Sequence, residues 1–253
     1  MYIFGAGNLW ATPITDVSGN LIATPTPVLL ATLQGLSLDI SFDRKELYGQ
    51  YQFPLEVAAG KAKLSCKANY ANVGARALDV ILFGQGVTAG EQTINFDVAG
   101  QLVPATPFAI TITPPNAGTM TDDLGVRDVN GIPLTRVTGT PASGQYVVSV
   151  ATKTYTFSAT DTGKRVYISY AYSTTTGGFK QTVVNQLMGQ MPKFRADYFT
   201  TYGGKRMAIT LLRCSSDKLG LASKLDDFLI PEMEFSAMAD TGGNVFSWSM
   251  IDP

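Results

Sequence analysis

Two pairs of adjacent acids, Asp122–Asp123 and Asp226–Asp227, are the first groups to weigh for chemistry, because neighbouring carboxylates can hold a calcium ion or work as an acid–base pair. Neither pair falls in calcium-loop spacing, and adjacent acids in polar stretches read first as solvated turn residues. Ser215 and Lys218 satisfy Ser-x-x-Lys, a pattern too short to define a nucleophile and base without its companion motifs. TGKR at 162–165 approximates a phosphate loop, but Arg165 stands where a hydroxyl residue belongs and Ser158 where the first glycine belongs. FGAGNLW at 4–10 offers Gly5 and Gly7 but ends on Trp10 in place of the third glycine of a dinucleotide fingerprint. The chain contains no histidine, so the commonest general base is missing and no Ser/His/Asp triad can form. Cys66 and Cys214 are too few for a zinc site or a disulfide framework, and both are expected reduced, with Cys66 a small core residue. The residues therefore point away from an enzyme, with no cofactor and no metal.

Composition narrows the class further. Hydrophobic residues are 45% of 253 and charged residues only 15%, enough apolar side chain to fold around a core. The net charge is -1 and the basic residues are scattered, so no electrostatic grip on nucleic acid is expected. No apolar run approaches the ~20 residues that cross a bilayer, the first residues lack the basic leader of an export signal, and no membrane partner is expected.

Elements follow from periodicity. Leu36, Leu38, Ile40 and Phe42 share one parity, with Ser37, Asp39, Ser41 and Asp43 on the other, which defines a two-faced strand over 36–43. The same alternation predicts strands at 51–57 and 61–69, with Pro54 placing the former at an edge or bulge. The charged segment DRKELYGQ between them reads as a hairpin tip. ANVGARALDVILFG predicts a helix over 73–83, capped by Asn72 and closed by Gly84. Residues 1–32 read as an irregular arm, 104–178 as a second β unit of short Thr- and Tyr-rich strands, and STTTGGFK (173–180) as the linker back. The expected fold is mainly β: a sandwich or barrel with one flanking helix, discontinuous over 1–103 and 179–253, carrying a small inserted β-sandwich-like domain.

The order of arm, alternating strand, charged tip DRKELYGQYQFP, lysine-flanked strand KAKLSCKANYA and helix ending in LFG resembles the major tail tube protein of long-tailed bacteriophages. The segment from PFAITITPP to VYISYAY resembles β modules of phage structural proteins, and MEFSAMADTGGNVFSWSM is similar to the closing hairpin of tube subunits. The resemblance implies a tail-tube-type subunit that forms hexameric rings stacked into a tube. Such a tube works with the tape measure and other tail proteins, conducts double-stranded DNA without binding it specifically, and is assembled in the host cytoplasm into the virion tail. It implies lumen-facing Ser37, Asp39, Ser41, Asp43, Lys61, Lys63 and Lys67, the lysines pairing with Asp39 and Asp43 or facing outward. It implies ring-stacking contacts from a loop at 43–50 with Arg44, Lys45, Glu46, Leu47 and Tyr48. It implies an insert on the outer surface. Two other readings remain open: the tube of a contractile injection system, and a monomeric β-rich binding or adhesion module.

Overall fold

The computed structural model describes residues 5–71, 74–223, 225–226, 228 and 230–251. Strand far outweighs helix, 53% to 6%, so the protein is mainly β. The chain divides into two compact units, one of residues 1–87 with 182–253 and one of 88–181. The second unit therefore begins at Thr88 rather than 104 and ends at Gln181. Its extra residues include Phe179–Lys180, which pair with Thr88–Ala89 where the chain leaves and returns; the expected linker is partly strand.

Unit 1 is built from β1 (Asn8–Thr15), β2 (Val28–Tyr48), β3 (Pro54–Tyr70), β14 (Lys193–Tyr202), β15 (Lys205–Gly220), β16 (Glu232–Ala237) and β17 (Phe246–Ile251). All its pairings are antiparallel, in the order β14-β1-β2-β3-β16-β15, and β14 also pairs β15, which closes six strands into a barrel with β17 alongside β15. Two expectations change here. The irregular arm contains a core strand, with Leu9 and Ala11 of β1 fully buried between β2 and β14. The two strands expected at 51–57 and 61–69 are one, Pro54–Tyr70, because extended backbone runs through Gly60 without a turn. Glycine suits the close approach there: a Cβ would sit 3.1 Å from the carbonyl oxygen of Asp43, where Gly60 and Lys61 together oppose one residue of β2 in a bulge. Pro54 opens the strand, a position where its missing N–H costs no ladder bond.

The inward parity of these strands forms one core. Leu9, Leu30, Leu64, Cys66, Phe194, Leu211, Cys214, Met233 and Phe235 are buried together, with the rings of Phe194 and Phe235 centred 5.7 Å apart. The helix begins at Ala75, turns once as α-helix, and continues as a π-type turn over Asp79–Phe83; Asn72 and Val73 lie outside the described residues. Ala77 and Ile81 are buried in the core, and Gly84 closes the helix at φ 58, packed against Pro192 so closely that a Cβ would clash at 2.9 Å.

Unit 2 comprises β4 (Thr88–Ala89), β5 (Gln92–Asn95), β6 (Gln101–Leu102), β7 (Ala109–Thr111), β8 (Thr119–Arg127), β9 (Thr135–Arg136), β10 (Gln145–Ser149), β11 (Thr154–Phe157), β12 (Arg165–Ser173) and β13 (Phe179–Lys180). Two small sheets, β7-β11-β10-β9 and one centred on β12 with β8, β5 and β6, bury Val126, Tyr146, Tyr155, Phe157, Ile168 and Tyr170. Asp123 is not a solvated turn residue but a strand residue whose side chain is only 2% exposed. It accepts hydrogen bonds from Tyr146 Oη at 2.7 Å, Tyr155 Oη at 3.0 Å and the Gly125 amide at 3.0 Å. Burial, reinforced by this carboxylate, pushes both phenols well above their ordinary range.

Both tryptophans, Trp10 and Trp248, belong to unit 1 and report its unfolding alone. Phe235→Ala should lower unit 1 stability by about 3–5 kcal/mol, read from a denaturant titration of tryptophan fluorescence. Asp123→Ala strands two buried phenols and should cost unit 2 about 3 kcal/mol, read from tyrosine near-ultraviolet dichroism.

Candidate assembly surface

The sheet β2-β3-β16-β15 has one face in the core and the other in solvent. Directly paired residues share a face, so the register places Ser37 beside Lys67, Asp39 beside Ser65 and Ser41 beside Lys63. The next pairing puts Lys67 beside Glu234 and Ser65 beside Ser236, and the one after puts Glu234 beside Lys218. Five expected residues, Ser37, Asp39, Ser41, Lys63 and Lys67, thus meet on one polar surface. Asp43 and Lys61 lie farther along, at the bulge.

The ion pairs differ from the expected ones. Lys67 turns toward β16, not β2: its Nζ lies 2.8 Å from Glu232 Oε1 and 3.9 Å from Glu234 Oε1. Lys218 Nζ lies 3.5 Å from the same two carboxylates. Asp39 instead accepts a hydrogen bond from Ser37 Oγ at 2.9 Å, and Ser236 Oγ donates to Asp217. The hydrogen bond from Lys67 holds the Glu232 carboxyl below the usual range, and the charge of Glu234 raises Lys218. Glu232, Glu234, Asp217 and Lys218 were not anticipated in this surface. The alternation of Glu232, Glu234 and Ser236 with buried Met233 and Phe235 marks a polar parity, but strand order alone reveals what it sits beside.

Arg44, Lys45, Glu46, Leu47 and Tyr48 are strand rather than loop, paired with Ala59, Ala58, Val57, Glu56 and Pro54; the tip is 49–53. The expected loop is extended because the bulge restores pairing past Asp43. Beyond Ile40 this ribbon leaves the core: Leu64 is buried, whereas Phe42, Leu47, Tyr51, Phe53 and Leu55 are all more than half exposed. An apolar two-stranded ribbon of this length is marginal in water without a partner surface.

Two backbone edges of the polar-faced sheet are also open. β1 pairs β2 over 28–32, and among the described residues β2 from Leu33 onward has a strand partner on one side only. At Cys214 the chain pairs Phe194 on one edge and Ala237 on the other; past it, residues 215–220 keep only the β16 side. The motif fragments take structural roles. Lys164 of TGKR binds Asp161 at 2.7 Å, and the Gly163 amide donates to Val103 O at 2.9 Å, which uses up the phosphate-like cradle. Ser215 is buried, and Lys218 is held by the two glutamates. Asp226 is an exposed turn residue, and Asp227 lies outside the described residues. Cys66 and Cys214 are buried free thiols, with burial pushing Cys66 up to about 12, which makes it a poor nucleophile. Among the described residues no group of three or more metal-ligating side chains is placed to hold an ion, and no helix is long and apolar enough to cross a membrane.

No protein-family model and no curated protein matches the chain.

The surface charge should hold constant across neutral pH, since no histidine is present. The lowered Glu232 contributes stability above its unfolded pKa that is lost as pH falls through its folded value. The raised Lys218 contributes below its unfolded pKa and loses this as pH rises through its folded value. The urea midpoint of unit 1 should be flat from about pH 5.5 to about pH 9 and decline on both sides; a step near pH 6.5 would contradict this assignment.

Proposed function

We propose that the protein is a structural subunit that assembles by its own copies into stacked rings, the major tail tube protein of a long-tailed bacteriophage. The observation that carries this reading is the pair of edges left open among the described residues, β2 from Leu33 and β15 from Ser215, on one four-stranded antiparallel sheet. Because the strand count is even, a copy rotated about an axis along the strands presents its β2 antiparallel to the neighbour's β15. Repeating that contact closes a ring and removes both edges, which otherwise template aggregation. The polar face then becomes the wall of a lumen through which double-stranded DNA passes. The apolar ribbon from Phe42 to Leu55 gains a cover by lying against an adjacent ring. In the assembled virion tail the natural companions of such a tube are a tape measure protein and the other tail proteins.

A monomeric binding module has no use for two complementary edges and an uncovered ribbon. Negative-stain electron microscopy and sedimentation separate the two readings: hollow rings or tubes of uniform width are expected as concentration rises. Leu47→Asp with Leu55→Asp should leave the tryptophan-reported unfolding of unit 1 within about 0.5 kcal/mol, as surface changes do, yet abolish tubes. A wild-type protein that stays monomeric at every concentration would overturn the proposal.

A further inference from the structure

The four charged side chains at the centre of the polar face form a closed set. Lys67 and Lys218 stand on either side of β16, and between them Glu232 and Glu234 each lie within 4.0 Å of both ammonium groups. Ion pairs this exposed, with the lysines about half accessible (47% and 57%), contribute little to folding, and less in salt. Stability is therefore a weak account of them. Their larger effect is on the potential above the sheet: two cations that would otherwise reach any passing polyanion are held with two anions at contact distance, and their fields cancel within about a Debye length.

We propose that Glu232 and Glu234 are built-in counter-ions that occupy Lys67 and Lys218 and so keep this face from gripping a phosphate backbone. The inference rests on the reading of the face as a DNA conduit. A conduit needs low friction, and each lysine free to neutralise a phosphate adds a counterion-release term that favours holding the duplex in place. The arrangement explains how a wall can carry lysines without becoming a nucleic-acid-binding surface. Asp39 and Asp217 accept hydrogen bonds from the hydroxyls of Ser37 and Ser236 instead.

The test is binding of a labelled linear DNA duplex by the full chain, followed by fluorescence anisotropy across a salt series, at a concentration where sedimentation shows unassembled subunit. Glu232→Gln with Glu234→Gln should strengthen a binding that in the wild type is weak but measurable at low salt. Its log–log salt slope should steepen by about 1.8 relative to wild type, two phosphates at about 0.9 each. Adding Lys67→Gln and Lys218→Gln to that variant should return the slope to the wild-type value. A control of equal net charge, Asp122→Asn with Asp226→Asn, removes two exposed carboxylates elsewhere and should not steepen it. An unchanged slope in the double glutamine variant, or an equal gain in the control, overturns the masking role. Electron microscopy of the wild type at high concentration answers the separate question of assembly: absence of rings would defeat the tube reading even if the slopes behave as expected.

Discussion

Closure of the barrel at Cys214 is the constraint on which unit 1 depends. There β15 is paired on both edges at once, to Phe194 of β14 and to Ala237 of β16. That double pairing gives the sheet an inside, so the alternating apolar side chains of six strands converge on one core rather than facing solvent. It also sets where the closure stops. Beyond Cys214 and beyond Thr32 the two halves of the barrel part, and among the described residues the strands that run on are paired on one edge. The core is complete within one chain, and the sharing of the sheet between copies proposed above would cover these edges.

The polar face follows a different logic from the core. Its groups are exposed, individually weak and arranged in rows that the register imposes, with Lys67, Glu234 and Lys218 side by side on successive strands. Their significance lies in the potential they present. Within the quartet of Lys67, Lys218, Glu232 and Glu234 the charges balance, and with no histidine in the chain that balance does not move across neutral pH. On the proposed reading of this face as a lumen wall, such cancellation lets a polyanion slide better than free cations that hold phosphate or a strong anionic field that resists entry.

Unit 2 uses polarity as a structural element. The Asp123 carboxylate, nearly inaccessible, is satisfied by two phenols and a backbone amide, with the Arg136 guanidinium 3.7 Å away. A buried charge is tolerated only when its acceptors are filled in this way. The stacked rings of Tyr146 and Tyr155, 5.9 Å apart, complete the cluster that ties β8 to β10 and β11.

Much of this architecture was legible in the residues themselves. Period-2 alternation identified the strand at 36–43 and its polar parity, and the helical spacing of Ala77 and Ile81 identified the helix, because both depend on local geometry alone. Local geometry could not show that Gly60 continues a strand, since the close approach that favours a residue without a Cβ is made by the opposite strand at Asp43. Nor could it show that the sequence around Leu9 is a core strand, because the turn-forming residues flanking it carry a stronger local signal than its short apolar alternation. Lys67 is the clearest case. Its outward parity could be read from KAKLSCKANYA, but its partners lie more than 160 residues away in sequence and were decided by β16 docking against β3. The side on which each residue faces is a property of its own strand; which strand lies next to it is settled only when long-range pairing closes the barrel.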